Sequence, residues 1–532
     1  MTCSDHHVHW RKRAIGFTGC VMALALACFA QPKTGDLVFQ TGFEGADALR
    51  AWGAEQNPNV RLAPGFHGAQ SLRVEMPADA SGSASVRLAL DVGKMRGACL
   101  NCRAMVKADG VTPPPQPWNG IKFMLHVTTP GGAIWPQKNN LLGTFDWKRV
   151  QFQAVIPADA TAAELVLGLE AVNGRAQFDD IEITVAHGPR VRPATPPAGP
   201  VFTGHDEPRL RGAMISPDIT PDSLRVLGRE WNANLIRWQF IRYGPSARIN
   251  TAADYDAWLE GALRKLDAAL PLCEKYGLRV VLDLHSPFGG TPIAGGYAGA
   301  DTGLFTNRAA QDKFVADWKR MALRYRGSRV IWGYDLANEP VEEEVAQGCD
   351  DWQALATRAA RAVRAADARH AIIVEPAPWG GPEALENLEP LPVPGVVYSV
   401  HIYVPHEFTH QGVHGGSTGI MYPGVIAGKP WDKAALRRVL QPVRDWQRDY
   451  GAQIYIGEFS AIRWAPDDSA YRYLKDCIEL YEEFGWDWSY HAFREWSGWS
   501  VEHGPDKGDD APSKTQTNRE KLLREWYRKN LN

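Results

Sequence analysis

Polar and apolar positions follow two different rules in two parts of the chain. Between residues 36 and 187, short runs alternate apolar and polar side chains with a period of two, as at 71–74, 85–90, 120–127, 148–155, 164–169 and 181–185. Turn residues close each run. That period marks strands with one buried face, and no long helical period interrupts it. Residues 36–187 are therefore predicted to be an all-β sandwich. Pro189, Pro193, Pro196, Pro197 and Pro200 follow, with almost no large apolar neighbour, so residues 188–204 read as a semi-rigid linker.

Within residues 205–532, from Arg209 on, the pattern changes to strand-like apolar runs alternating with helical ones. They lie at 210–215, 234–240, 278–285, 330–337, 371–375, 396–401, 453–459 and 486–493, with helical periods between them. The clearest helix spans 254–276: Trp258, Ala262, Leu266, Ala269 and Cys273 recur at helical spacing, and Gly277 is its stop. Pro271 predicts a kink or a short interruption there. Eight such alternations favour an α/β chain built as a (β/α)8 TIM barrel over an open sheet. No glycine-rich phosphate fingerprint follows any strand, which disfavours a nucleotide fold.

The chemistry lies where the apolar runs end. One run finishes Ala337-Asn338-Glu339-Pro340. Proline cannot donate to a sheet ladder and biases its predecessor towards extended geometry, so the strand stops with an amide and a carboxyl at its C-terminal end. Parallel α/β folds place their chemistry at that end. A second carboxylate, Glu458, closes the run Ile-Tyr-Ile-Gly-Glu-Phe. Two glutamates on two strand ends are the minimum kit for glycoside hydrolysis. Arg237, the Asp283-Leu284-His285 end, His401, Tyr403 and Trp488 stand on the other strands, facing the mouth of the predicted barrel.

With these residues assembled, the segment 205–532 resembles a family 5 glycoside hydrolase of the cellulase clan. Asn338-Glu339-Pro340 and Gly457-Glu458-Phe459 match the two signatures, and Arg237, His285, His401, Tyr403 and Trp488 fill further positions. The resemblance implies that Glu458 is the nucleophile, held ionised by Arg237 and Tyr403, and that Glu339 is the acid/base, protonated at rest. It implies that Asn338 binds the sugar 2-hydroxyl, and that His285 and His401, as neutral imidazoles, hold substrate or orient Glu339. Trp488 would be the floor under the sugar, followed by a non-proline cis bond, although Trp496 is a second choice for that platform. His491 departs from the pattern, standing where lysine is common in endoglucanases. Asp283 is expected to be structural. Within residues 36–187, Gly143–Lys148 and Gly174–Ile181 resemble jelly-roll carbohydrate-binding modules. That resemblance implies Trp118 and Trp135 as stacking residues and leaves two readings of Glu44, Asp179 and Asp180: calcium ligands or ordinary surface acids.

Composition narrows the class without naming the sugar. The chain has 532 residues with 58 Lys+Arg against 61 Asp+Glu, a net charge of −3, which argues against nucleic acid as a partner. Residues 1–30 read as a signal peptide: Arg11, Lys12 and Arg13, an apolar run from Ala14, and a small-residue cleavage site at Ala30. A secreted or periplasmic protein follows, without stable membrane insertion, with a lipid anchor on Cys28 the lesser alternative. Five cysteines remain beyond Ala30, too few and too odd in number for a disulfide framework. Cys99 and Cys102 have C-x-x-C spacing but no second pair, so zinc is not expected. His406, His410 and His414 after His401 suggest a substrate-binding loop rather than a metal site, and the glycine-rich 289–303 a wall of the cleft.

The function expected is a secreted retaining β-glycoside hydrolase of poly- or oligosaccharides, a monomer without cofactor or metal. An endo-β-1,4-glucanase comes first and a β-mannanase or exo-acting β-glycosidase second; the insertion at 404–430 would favour exo action if it closes one end of the groove. Two other classes compete: a metal-dependent barrel hydrolase using Asp283, His285 and His401, and a sugar-binding protein without catalysis.

Overall fold

The computed structural model describes residues 31–531 apart from 117, 140, 191–192, 196, 244–245, 247–248, 290–302, 343–344 and 414. The expected signal peptide with Cys28, His414, Pro196 and most of the glycine-rich 289–303 lie outside the described residues. Among the described residues no helix is long and apolar enough to cross a membrane.

The first region is β-rich. Leu37–Thr41, Val60–Ala63, Ser71–Met76, Cys99–Val111, Gly143–Val155 and Gly174–His187 form one antiparallel sheet; Ser83–Leu90, Gly120–Thr129, Gly132–Ile134 and Ala162–Glu170 form another. The alternation seen in the sequence becomes inside and outside: Leu72, Val74, Leu100, Val106, Phe123, Leu125, Leu165, Leu167, Phe178 and Ile183 share one core between the sheets. Cys99 and Cys102 are buried free thiols, and burial pushes the Cys99 thiol up to about 12. Of the three acids considered for calcium, Glu44 and Asp179 accept from backbone N–H groups and Asp180 pairs with the His67 ring. Glu44 Oε1 accepts from the N–H groups of Ala69 (2.9 Å) and Gln70 (3.0 Å), and Asp179 Oδ2 from those of Phe66 (2.7 Å) and His67 (3.2 Å), so both pin one turn.

The second region closes into an eight-stranded parallel barrel. Its strands are β1 (Arg211–Ile215), β2 (Leu235–Gln239), β3 (Arg279–Asp283), β4 (Ile331–Asp335), β5 (Ala371–Val374), β6 (Val396–Ile402), β7 (Ile454–Phe459) and β8 (Asp487–Phe493), with β8 pairing back to β1. All eight fall on predicted runs. Leu235, Val281, Trp332, Ile373, Val397 and Tyr455 fill the barrel's interior, while Ile236, Leu282, Tyr334, Ile372, Val400 and Ile456 pack outwards under the helices. That double burial is why the runs lack polar alternation. Helix ends follow local chemistry. Thr251 caps Ala252–Tyr276 by accepting from Asp254 N–H, and Gly277 at φ 75° ends it in a left-handed turn. Of the kink or short interruption expected at Pro271, the interruption is absent: one helix spans the whole segment with Pro271 inside it, and Leu266, Ala269 and Cys273 around it stay buried. The insertion after β6 carries the short helix His406–Thr409 and a two-stranded hairpin, Gly424–Ile426 with Lys429–Trp431.

Candidate active site

Several strands place polar side chains at the barrel mouth, at or just past their C-terminal ends. Arg237 of β2 is fully buried and is the hub. Its Nη1 donates to Glu458 Oε1 at 2.6 Å, its Nε to Asp335 Oδ2 at 3.0 Å, and its Nη2 to Glu375 Oε1 at 2.9 Å and Asn338 Oδ1 at 3.1 Å. Asp283 lies 3.2 Å from the same Nη2. A buried guanidinium requires such partners, since an unpaired charge in low dielectric is unfavourable by several kcal/mol. Asp283 also holds His285 through Nδ1 at 2.7 Å.

Glu339 and Glu458 meet across the mouth. One carboxylate oxygen of each, with one His401 ring nitrogen, lies within 4.8 Å of the others, the one cluster of potential metal-ligating side chains of this size among the described residues. His401 Nδ1 is 2.8 Å from Glu339 Oε1, and its Nε2 is 3.1 Å from Glu375 Oε1. Arg237 and His401 already supply, inside this cluster, the positive charge a cation would bring. Gly457 makes the approach possible: a Cβ there would sit 2.6 Å from Ser399 Oγ and 2.8 Å from His401 Nε2. Glu339 holds φ at 43°, an unusual backbone state for a residue with a side chain. The carboxylate of Glu375 keeps it there by accepting from Glu339 N–H at 2.8 Å.

The electrostatics separate the groups. Burial alone would raise the Glu458 carboxyl, but the charges of His401, His491, Arg237 and His285 outweigh it and hold Glu458 far below the usual carboxylate range. Tyr403 adds a hydroxyl donor to Glu458 Oε2 at 2.9 Å. Burial alone would depress His401, yet the Glu375 and Glu458 charges and the hydrogen bonds to Glu339 and Glu375 carry it well above an ordinary imidazole. The expectation of a neutral His401 is thus corrected: its carboxylate neighbours favour the imidazolium. Burial pushes the Asp335 carboxyl well up, with Glu375 and Asp283 adding to the rise against Arg237.

Of the residues singled out in the sequence, Arg237, His285, Asn338, Glu339, His401, Tyr403 and Glu458 come together. Trp488 does not. Along β8 successive side chains alternate, so Ser489 and His491 point into the barrel while Trp488 and Tyr490 point out. Trp488 is fully buried, donates its indole N–H to Glu482 at 2.9 Å and stacks on Tyr527 at 5.5 Å, between barrel wall and helices. The non-proline cis bond expected after it lies instead at His491–Ala492. Trp496 is 42% exposed beyond β8, edge-on to Trp464 and Trp499. Trp379, after β5, is also exposed, and its N–H donates to Pro340 O at 3.2 Å. His406 and His410 stack on each other at 4.0 Å, and the His410 ring lies edge-on to Tyr403 at 5.0 Å.

Glu375, Asp335 and Glu495 escaped the sequence reading, and His491 was noted only as a departure. For Glu375 a signal existed: Ala-Ile-Ile-Val-Glu-Pro ends an apolar run in Glu-Pro, as does the run carrying Glu339.

Residues 204–500 match the family described as Cellulase (glycosyl hydrolase family 5). Endoglucanase C of Acetivibrio thermocellus is 28% identical over 262 residues, 43% of this chain and 73% of that protein. Cellodextrinase A of Ruminococcus flavefaciens is 22% identical over 246 residues, 45% of this chain and 70% of that protein. Mannan endo-1,4-beta-mannosidase A of Aspergillus aculeatus is 27% identical over 150 residues, 26% of this chain and 37% of that protein.

Proposed function

The chain belongs to glycosyl hydrolase family 5 and is a glycoside hydrolase; on that premise we propose that it is a secreted, retaining endo-β-1,4-glucanase that works by double displacement. The observation that carries the mechanism is the approach of Glu339 and Glu458, whose nearest oxygens are within 4.8 Å. Retaining enzymes keep their carboxyl groups about 5–5.5 Å apart, whereas inverting ones leave about 6.5–9.5 Å for a water.

Glu458, ionised among its cations, attacks the anomeric carbon. The bond from that carbon to the glycosidic oxygen breaks as Glu339 gives its proton to the leaving oxygen, and a glycosyl ester forms on Glu458. Glu339, now a carboxylate, takes a proton from water; the water oxygen adds to the anomeric carbon, and Glu458 leaves as a carboxylate. Arg237 and Tyr403 hold Glu458 in line. Asn338, anchored by Arg237, is set to meet the sugar 2-hydroxyl, a contact that strengthens towards the oxocarbenium-like state. A product of inverted configuration released first would end this reading. Azide should rescue Glu458→Ala as the inverted glycosyl azide; rescue of Glu339→Ala in that form would exchange the two roles.

The choice of glucan follows the endoglucanase likeness, with residues 1–30 as the export signal. A panel of aryl glycosides and soluble polysaccharides decides it, and a preference for mannan would overturn it. Residues 36–187 are proposed to bind polysaccharide through Trp118 and Trp135, which are 56% and 55% exposed. Trp135 lies parallel to the His126 ring, which fixes its face. The double variant Trp118→Ala/Trp135→Ala should lose retention on insoluble glucan while hydrolysing a soluble aryl glycoside at the normal rate.

A further inference from the structure

We propose that His491 and Glu495 form a positioning pair that orients Tyr403 and keeps Glu458 ionised; the inference rests on Glu458 being the nucleophile. A single hydrogen decides the arrangement. The Tyr403 hydroxyl lies 2.9 Å from Glu458 Oε2 and 2.5 Å from His491 Nδ1. A phenol has a single proton. If it goes to the carboxylate, which has none to give, then His491 Nδ1 must carry a hydrogen and donate it to the phenol oxygen.

The other side of the ring fixes the remaining proton. His491 Nε2 faces Glu495 Oε2 at 3.4 Å. A bare Nε2 lone pair against a carboxylate is repulsive, whereas an N–H there is attractive. The state that satisfies all three contacts is the doubly protonated ring, an imidazolium between two carboxylates. Glu495 is itself steadied by the side chain of Gln239, whose amide also donates to Ile215 O at 3.0 Å. Burial would lower the His491 pKa, but the charges of Glu458 and Glu495 raise it above the ordinary imidazole value.

The groups facing this ring are Tyr403 and His401 from β6 and its end, Glu458 from β7, Glu495 from the end of β8, and Trp499, tilted at 5.7 Å. His401 is the cation among them and opposes the charge on His491; the two carboxylates favour it. Glu458 Oε2 is 3.7 Å from His491 Nδ1, close enough for the charge to act directly as well as through the phenol. The pair therefore has two effects. It fixes the direction of the Tyr403 donor, and it keeps a positive charge beside the carboxylate that must attack and later depart.

The test is the pH dependence of kcat/KM on an aryl cellobioside for the full chain and for His491→Gln and Glu495→Gln. Glutamine can still donate to the phenol but brings no charge. Loss of an opposite charge at this range moves a carboxyl by about 1 pH unit or more, so the acid limb of His491→Gln should move up by about one unit. Glu495→Gln should move the same limb less and cause the rate to fall earlier on the alkaline side, since its imidazolium gives up its proton sooner. An unmoved acid limb in both variants overturns the inference, whether the rate is normal or uniformly reduced. If His491→Gln does not fold, Glu495→Gln alone decides by the same criterion. Azide rescue of Glu458→Ala separates the two readings: rescue with unmoved limbs removes only this inference, whereas failed rescue removes the nucleophile assignment beneath it.

Discussion

Replacing Glu375 with glutamine should disable the site without touching either glutamate that reacts. Glu375 accepts from Arg237 Nη2 at 2.9 Å and the Glu339 N–H at 2.8 Å, and its carboxylate forms an ion pair with the His401 ring at 3.1 Å. The Glu339 N–H meets Oε2 and the other two meet Oε1. Glutamine has one acceptor oxygen and an amide that only donates, so in either orientation its NH2 group must face a donor. If the oxygen stays on the cations, Glu339 loses the bond that holds its left-handed backbone; if the oxygen turns to Glu339, two cations lose their partner. A charge-assisted hydrogen bond contributes about 1.5–3 kcal/mol, and breaking a buried pair costs about 3–5 kcal/mol. Arg237 keeps Asp335, Asp283 and Glu458, so the loss should lie near the lower end, about 2–4 kcal/mol, visible as a fall of several degrees in Tm. A shift of about 1 Å in a reacting group costs about 100-fold in rate, and kcat on an aryl cellobioside should fall by roughly that factor. Calorimetry and initial rates on one preparation check both. A variant with unchanged Tm and a rate within about twofold of wild type would refute the claim that Glu375 anchors the acid/base residue.

Other consequences are as direct. His401 binds its proton more tightly folded than unfolded, so its stabilisation is complete below the unfolded value of about 6.5 and is lost as pH rises through the higher folded value. Tm should therefore decline on the alkaline side, and calorimetry of His401→Gln should show a flatter slope. Glu458 behaves oppositely: its contribution is present above the unfolded value of about 4.3 and disappears as pH falls towards the depressed folded one, so Glu458→Gln should lessen the acid-side loss of Tm. Trp488→Phe removes the bond to Glu482 and should lower stability by about 1–2 kcal/mol with KM unchanged; a raised KM with normal Tm would return Trp488 to the sugar. Tyr403→Phe removes the hydroxyl that donates to Glu458 and accepts from His491, and its kcat/KM should fall about 10- to 100-fold with little change in Tm.

The strands and the two acids were legible in the order of residues alone. Eight apolar runs mark eight buried strands, and a polar residue at the end of such a run has nowhere to go but the mouth, so Glu339, Glu458, Arg237 and Tyr403 were legible one strand at a time. Orientation within a strand was not. β8 is covered on both faces, so no polar alternation fixes its parity, and Trp488 and His491 differ by an odd number of residues and thus by a face. Glu375 shows the same limit over a longer range. Its run ends in the right grammar, but its role arises only when the barrel closes and brings it to Arg237, 138 residues earlier, and to the Glu339 N–H, 36 residues earlier. Charge states were decided there too. That His401 favours its imidazolium and Glu458 its carboxylate follows from which neighbours are buried together, and tertiary contact alone sets those distances.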